Sequence, residues 1–345
     1  MTALQSAPWR KLEDAPRTLD LRLLDERLPP ADWDARLAAM GGHPLQSSLW
    51  GNAKRAVEGR VDHRLAYTDA DGMPRWMIRV EERRAPVLGI VGWAPRGPTA
   101  GSSADVLGVP GRLRDDLGER GVRLLVSDPY IEAADNNGAT DDAAGAGTGP
   151  RTIWVDLTVG IDAAFARLKG KVRTSIRSAA KKGVTTVETR DVGEVSAFVD
   201  MCKAVSRIKS FHLDLNPELV IALMDNVTPD ARCRLFVARR EGSLLAGALI
   251  MTLGRHWHFF WGGTDRSAGD FDAGVALHWA IMETAIADGA RRYDLEGIDY
   301  RANPSTGIFK RKLGGVEVEL PGHTYLPLGM RGKAMALALA ARRAG

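Results

Sequence analysis

The sequence has few cysteines, only Cys202 and Cys233 in 345 residues. An extracellular disulfide framework needs more cysteines at regular spacing, so we expect two buried thiols in a reducing cytoplasm. Long apolar runs are also missing, because the longest, residues 244–253, is about half a membrane span. The N-terminus carries charge where a signal peptide needs an apolar segment. We therefore expect a cytoplasmic protein without a transmembrane segment.

Motifs of several enzyme classes are missing as well. The chain contains no GxxxxGK[ST] loop, no GxGxxG loop and no GxSxG elbow. His256 and His258 share one strand face, but no nearby cysteine or carboxylate completes a metal site. We expect neither a metal nor a cofactor. A reaction that needs none of these is transfer from a donor that is already activated.

One short stretch supports an alternative in which the protein binds CoA. Residues 266–271, RSAGDF, are similar to the R-x-x-G-x-G/A pyrophosphate loop of CoA-dependent N-acetyltransferases. Phe271 stands where that loop needs a small residue, so that backbone amides can approach the phosphates. This mismatch weakens a CoA site without excluding it.

The length and the element order indicate two domains. A chain of 345 residues is long for one core. Residues 133–150, AADNNGATDDAAGAGTGP, hold no large apolar side chain and are expected to form a flexible linker or loop. Strand-like and helix-like runs alternate on both sides of this segment, which predicts two similar α/β units. The net charge of +4 favours an anionic partner.

A basic stretch, residues 165–182, is expected to be a helix that ends at Gly183. Arg173, Arg177 and Lys181 follow one another at intervals of one turn, and the stretch contains no acidic residue. Such a face can follow a line of phosphates.

Several segments, taken in order, resemble the FemABX-type aminoacyltransferases, which use aminoacyl-tRNA to add amino acids to peptidoglycan precursors. The segments are LQSSLWGNAK (45–54), APRGP (94–98), SDPYI (127–131), KVRTSIRSAAKKGV (171–184), YDLEGI (293–298) and GIFKRKLGG (307–315). The similarity extends over residues 45–325. No sustained charged heptads are present, so the chain resembles the compact form of the family, without a coiled-coil arm.

The resemblance implies an α/β fold of two N-acetyltransferase-like (GNAT-like) domains, with mixed sheets flanked by helices. The C-terminal segment of such a chain returns to the first domain. We therefore expect residues 1–149 plus 316–345 to form the first domain and residues 150–315 the second.

The resemblance also implies catalytic roles. Lys310, the lysine of the Phe-Lys pair, would stabilise the oxyanion that forms when an amine attacks an ester carbonyl. Phe309 would shield this lysine or stack on the terminal adenine of the tRNA. Asp128 would orient the acceptor or take its proton, although an Asp-Pro pair is also a common turn element.

Further residues are expected to bind the two substrates. Lys54 would hold an acceptor phosphate. Arg207 lies in a segment similar to a Thr-x-Arg-x-x-x-Tyr pattern of the family, in which Phe211 replaces the tyrosine. Additional acceptor-site candidates are Arg96 and Trp261. The basic face of Arg173, Arg177 and Lys181 would bind the acceptor stem of the tRNA.

The expected reaction is amide formation between an aminoacyl-tRNA and an amine, catalysed by a monomer. The acceptor amine belongs to a peptidoglycan-precursor peptide or to a peptide or small-molecule antibiotic precursor, and peripheral membrane contact stays open. Two alternatives remain: an acyl-CoA-dependent N-acyltransferase, and a non-catalytic module that binds tRNA or an envelope precursor.

Overall fold

The computed structural model describes residues 10–11, 18–24, 28–85, 89–131, 150–209, 212–265, 267, 269, 271–300 and 303–344. The segment predicted as a linker, 133–150, lies outside the described residues except for Pro150, and Phe211 lies outside them too.

The strands are short in the first half of the chain and longer in the second. They are β1 (Arg10–Lys11), β2 (Thr18–Leu19), β3 (Arg22–Leu23), β4 (Asp62–Thr68), β5 (Pro74–Ala85), β6 (Gly89–Ala94), β7 (Thr99–Ala100), β8 (Val109–Pro110), β9 (Val122–Ser127), β10 (Arg151–Asp156), β11 (Thr185–Thr189), β12 (Ala231–Arg240), β13 (Ser243–Leu253), β14 (His256–Thr264), β15 (Arg292–Asp294), β16 (Val316–Glu319) and β17 (Thr324–Pro327).

The helices alternate with these strands. They are α1 (Pro30–Ala39), α2 (Ser48–Glu58), α3 (Ser103–Val106), α4 (Leu113–Glu119), α5 (Ile161–Arg167), α6 (Gly170–Lys181), α7 (Val192–Ile208), α8 (Pro217–Asp225), α9 (Ala273–Ala287), α10 (Pro304–Arg311) and α11 (Gly329–Ala344). None of the helices in the described ranges is both long and apolar enough to span a bilayer.

The chain divides into two compact units. The continuous unit is Arg151–Val318, a single chain segment. The split unit combines the described residues of Leu4–Pro150 with those of Glu319–Gly345.

The split unit is built on an eight-stranded mixed sheet in the order β1-β17-β9-β6-β5-β4-β3, with β7 paired to β5. Strands β4, β5 and β6 pair antiparallel, whereas β6 and β9 are parallel. Trp76, Ile78 and Val80, at alternate positions of β5, belong to one buried cluster with Leu125 of β9 and Leu326 of β17. The C-terminal segment therefore contributes to the core of this unit.

The continuous unit contains a seven-stranded sheet in the order β11-β12-β13-β14-β15-β10-β16. Its strands pair antiparallel from β11 to β14, and β14 then pairs parallel with β15. Helix α9 is apolar along most of its length and buries Leu277, Ile281, Met282 and Ala285 in the core cluster of this unit. Such a helix packs on both its sheet side and its outer side.

Two glycines of the sheet allow α7 to lie close to it. A Cβ on Gly247 of β13 would stand 2.5 Å from Cδ2 of Phe198, and a Cβ on Gly263 of β14 would stand 3.3 Å from Met201 and Val205. These close approaches set the position of α7 beside β14.

The basic stretch differs from the single helix expected. It forms two helices, because the chain leaves the helical conformation at Leu168, where ψ is 142°, before α6 begins at Gly170. The predicted end of α6 is confirmed: Gly183 follows it with φ of 78°, a conformation that glycine adopts readily.

Candidate functional site

A cavity of about 700 Å³ lies in the continuous unit between α7, β14, α9 and α10. Most of its wall consists of glycines and of apolar or aromatic side chains, such as those of Val205 and Phe259. The charged side chains among its described lining residues are Asp200, Lys209, Asp265 and Lys310. Phe309 lines the same cavity, so the structure brings both members of the predicted Phe-Lys pair into it.

Lys310 lies in the last turn of α10. Pro304 occupies the start of this helix, where its missing N–H is tolerated. The Lys310 side chain is buried, with 6% exposure. Its Nζ donates to the carbonyl oxygens of Gly297 at 2.9 Å and Glu296 at 3.2 Å. The lysine is therefore fixed by main-chain atoms.

Burial changes the acidity of this ammonium. Desolvation lowers the pKa of Lys310 to about 8, against the opposing influence of the Glu296 and Asp294 carboxylates. The positive charge of Lys209 acts in the same direction as desolvation. At neutral pH the group is still mainly protonated, and it can lose its charge within the range of ordinary assays.

The turn that holds Lys310 is itself held in place by contacts of Asp294 and Glu296. Strand β15 ends at the buried Asp294, whose carboxylate accepts hydrogen bonds from the Thr152 hydroxyl, from Trp154 Nε1 at 2.9 Å and from the Glu296 backbone N–H at 2.7 Å. Glu296 has a left-handed φ of 59°, which is unfavourable for a residue with a side chain. Its carboxylate oxygen lies 2.9 Å from Nδ1 of the buried His258.

Aromatic rings line the cavity around the lysine. The Lys310 Nζ lies 5.5 Å from the ring centroid of Phe259. The His278 ring packs edge-on against Phe259 at 4.7 Å and lies 5.5 Å from the ring of Phe309. His278 Nδ1 is 2.9 Å from the Tyr293 hydroxyl. Sequence reasoning missed His278, which stands alone in an apolar helical run.

The His278 imidazole is neutral. Burial, together with the charge of the nearby Lys310, lowers its pKa to about 3. The cavity wall thus contains a neutral imidazole as well as the Lys310 ammonium.

Two predicted residues of the split unit, Arg96 and Asp128, contact each other. The Arg96 backbone N–H donates to the Asp128 carboxylate at 2.6 Å, and the Arg96 Nη1 lies 3.6 Å from its second oxygen. Arg96 has a φ of 58°. The Gln46 side chain donates to the Pro95 carbonyl at 2.8 Å and fills the space beside Gly97. These contacts shape the Pro-Arg-Gly-Pro turn.

Lys54 lies on α2 and is buried, with 7% exposure. Its Nζ pairs with the Glu58 carboxylate one turn later. It also lies 5.6 Å from the ring centroid of Trp50. An acceptor phosphate at this position would share the lysine with Glu58.

Among the described residues, Arg207 and Trp261 are not part of the cavity lining. Arg207 is exposed in the last turn of α7. A β-bulge in the pairing of β13 with β14 falls between Phe259 and Trp261, and Phe259 lines the cavity whereas Trp261 does not. The Trp261 ring packs edge-on against Phe260 at 4.4 Å.

The three predicted tRNA contacts differ in their surroundings. Arg173 Nη1 donates to the carbonyls of Leu168 at 2.6 Å and Ala166 at 2.9 Å, so its guanidinium caps the end of α5. Arg177 is exposed and lies 5.3 Å from the Phe165 ring centroid. Lys181 is exposed as well. The outer face of α6 therefore offers Arg177 and Lys181 to solvent.

The segment before α9, where a CoA pyrophosphate loop would lie, is only partly described. Residues 266, 268 and 270 lie outside the described ranges. The Phe271 side chain packs against the core of the continuous unit, and the Arg240 guanidinium lies 4.7 Å from its ring centroid. A bulky ring therefore stands just ahead of the N-terminus of α9.

Comparisons with known proteins agree with this architecture. Residues 166–307 match the family model of the acetyltransferase (GNAT) domain. Comparison with curated proteins finds no match to the sequence. A crystal structure of FemX is similar with a TM-score of 0.71 and 17% identity, and the match covers 88% of this chain and 96% of FemX.

Two further solved structures are similar along most of their length. The C-terminal domain of a putative lysylphosphatidylglycerol synthetase from Agrobacterium fabrum has a TM-score of 0.51 and 15% identity, over 91% of this chain and 97% of that one. L-PGS from Bacillus licheniformis has a TM-score of 0.52 and 14% identity, over 93% and 98%. The predicted fold class is confirmed: the chain has a FemX-like fold with GNAT-type architecture.

Proposed function

We propose that the protein is an aminoacyltransferase that uses aminoacyl-tRNA as its donor. The acceptor is an amine of a peptidoglycan-precursor peptide or of a related peptide or small-molecule antibiotic precursor. The observation that carries the proposal is the buried Lys310 ammonium, held by two main-chain carbonyls in the wall of an apolar cavity. The GNAT family match and the FemX-like fold support the broader class of acyl and aminoacyl transfer.

Lys310 would stabilise the charge that develops in the reaction. The neutral acceptor nitrogen attacks the ester carbonyl carbon, a C–N bond forms, and the C–O bond to the ribose breaks. The amine loses one proton and the released ribose oxygen gains one. Within the described residues, two of the three Nζ protons bind the carbonyls of Glu296 and Gly297, and the third would bind the oxyanion. A fixed cation in a dry site stabilises this charge more strongly than water does.

A tRNA donor is favoured by two features of the continuous unit. Arg177 and Lys181 offer an exposed basic face to a phosphate backbone. Phe271 occupies the approach to the N-terminus of α9, where a CoA pyrophosphate would need close backbone contact. Charged tRNA is a cytoplasmic substrate, so we place the reaction there, with the enzyme acting as a monomer.

The second candidate is an acyl-CoA-dependent N-acyltransferase. The observation in its favour is the match of residues 166–307 to the acetyltransferase (GNAT) domain. This candidate differs from the first in the donor and shares the oxyanion role of Lys310.

The test is a transfer assay without ATP or CoA. Total tRNA charged separately with labelled Ala, Gly or Ser is offered with a UDP-muramyl-pentapeptide or with a panel of small amines. We expect RNase-sensitive transfer of label from tRNA to one acceptor class. Product from acetyl-CoA but none from tRNA would support the CoA alternative instead. Binding of tRNA without any product in either assay would support a non-catalytic module.

A further inference from the structure

His278 is a further polar residue in the wall of the cavity. The side chain comes from α9 and lines the cavity together with Lys310 of α10. Phe259 and Phe309 pack against its ring and limit the access of water to it. In such a dry setting, a hydrogen bond to a developing negative charge is much stronger than in water.

The hydrogen-bond partner of the ring determines where its proton lies. Tyr293 is fully buried, and within the described residues its hydroxyl bonds His278 Nδ1 at 2.9 Å. A buried hydroxyl that only accepted would leave its own proton unpaired, which is unfavourable. Tyr293 therefore donates to Nδ1. The neutral ring then carries its proton on Nε2, the nitrogen that does not bond Tyr293, and this ring lines the cavity.

We propose that His278 Nε2–H is a second donor, beside the Lys310 ammonium, to the carbonyl oxygen of the aminoacyl group during transfer. This inference rests on the proposed function, because it assigns a second catalytic residue to the same site. His278 donates a hydrogen bond and transfers no proton. The bonds made and broken are those of the transfer itself: C–N forms, C–O breaks, and one proton passes from the amine to the ribose oxygen.

A neutral donor suits a site that already holds one cation. An imidazolium beside Lys310 would repel the ammonium, whereas a neutral N–H adds a hydrogen bond without adding charge. Lys310 then supplies a positive charge to the oxyanion and His278 supplies an uncharged donor. The same Tyr293 bond that places the proton on Nε2 occupies Nδ1, so the ring has no free lone pair with which to act as a general base.

The activity test compares three variants with a matched control. We expect His278→Ala to lower kcat about 10²–10³-fold, the usual loss for one oxyanion donor, while the KM for aminoacyl-tRNA changes less than about threefold. His278→Gln, which can still donate, should retain more activity. The kcat of Tyr293→Phe should lie between those of His278→Ala and His278→Gln, because the proton of the His278 ring can then occupy either nitrogen. His63→Gln, on β4 of the split unit, should match the wild type.

A spectroscopic test reads the ring directly and does not depend on turnover. Long-range ¹H–¹⁵N spectra, assigned with His278→Gln, should show the Nε2–H form unchanged between about pH 5 and pH 8. An amide-linked analogue of the aminoacylated 3′-adenosine should shift the Nε2 proton. A resonance of the Nδ1–H form, or a ring that titrates in this range, would overturn the proposal.

The two proposals fail in different ways. If the wild type transfers label from tRNA but folded His278→Ala keeps its kcat within about threefold, the role of His278 is wrong and the aminoacyltransferase assignment stands. If the wild type transfers nothing from tRNA, the proposed function fails, and the role of His278 in it fails too.

Discussion

Replacement of Lys310 by methionine tests the central element of the proposed mechanism. Methionine is unbranched like lysine and fills a similar space, but it carries no charge and no donor. Removal of one oxyanion-stabilising group should lower kcat about 10²–10³-fold, or about 2.7–4 kcal/mol. The KM for the donor should change much less, since Lys310 is expected to act mainly on the transition state.

The pH dependence of kcat gives a second and more specific test of the role of Lys310. Lys310 is active as the ammonium, and its pKa of about 8 means that about nine-tenths is protonated at pH 7 and about one-tenth at pH 9. This group alone should therefore lower kcat about tenfold between these pH values. The alkaline limb should be absent from Lys310→Met.

The acceptor amine contributes the acidic limb of the pH profile, because only the neutral amine can attack the ester. An α-amine with a pKa of about 7.8 would place the optimum near pH 8. A side-chain amine with a pKa of about 10.4 would give a plateau from about pH 8 to about pH 10. The wild-type profile therefore distinguishes the two acceptor classes.

The assay is label transfer from alanyl-tRNA under single-turnover and steady-state conditions from about pH 6 to pH 9, with spontaneous ester hydrolysis subtracted. Lys312→Met is the matched control, because Lys312 is exposed at the end of the same helix. The mechanism would be refuted if Lys310→Met kept more than about a tenth of the wild-type kcat, or if its alkaline limb persisted.

Three further predictions concern other parts of the continuous unit. Gly307→Ala should lower the free energy of unfolding by about 1–3 kcal/mol in urea titrations, because its Cβ would stand 2.4 Å from a ring carbon of Tyr300. Arg177→Gln and Lys181→Gln should each reduce by about one the magnitude of the slope of log K against log salt concentration, where K is the tRNA binding constant measured by fluorescence anisotropy. Burial raises the pKa of both cysteines, that of Cys202 to about 12, so neither should react with a disulfide reagent at pH 8 until the protein unfolds.

Each of these predictions has a control. Gly118→Ala in α4 meets no atom within 4 Å and should leave stability equal or higher, so an equal loss at both glycines would contradict the packing argument. Arg190→Gln, an exposed residue paired with Asp225, should not change the salt slope. Rapid labelling of the folded protein at either thiol would be inconsistent with the burial of both.

The elements that local patterns specify were predictable from the sequence. Strands such as β5 and β9 carry β-branched and aromatic residues between turn signals, and α9 is a long apolar run that ends near a glycine. The division of the basic stretch into α5 and α6 was not predictable in this way. There Arg173 binds the carbonyls at the end of α5, a contact that composition does not reveal.

The candidate site was predictable in its residue types but not in its geometry. The motif identified Lys310, yet the two carbonyls that hold it come from a turn 13 and 14 residues earlier. His278 was not identified from the sequence, because its proposed role depends on Tyr293, 15 residues away on a different element. Contacts of this kind arise from the tertiary fold rather than from local sequence.

The main-chain bonds to Lys310 have a consequence for protein engineering. Backbone carbonyls do not titrate. Because they belong to the main chain, they remain in place when side chains are substituted, provided that the turn keeps its shape. Cavity positions such as Val205 or Thr306 can therefore be varied in a library while the reactive ammonium keeps its alignment. Donor preference in this scaffold should be adjustable separately from the chemistry.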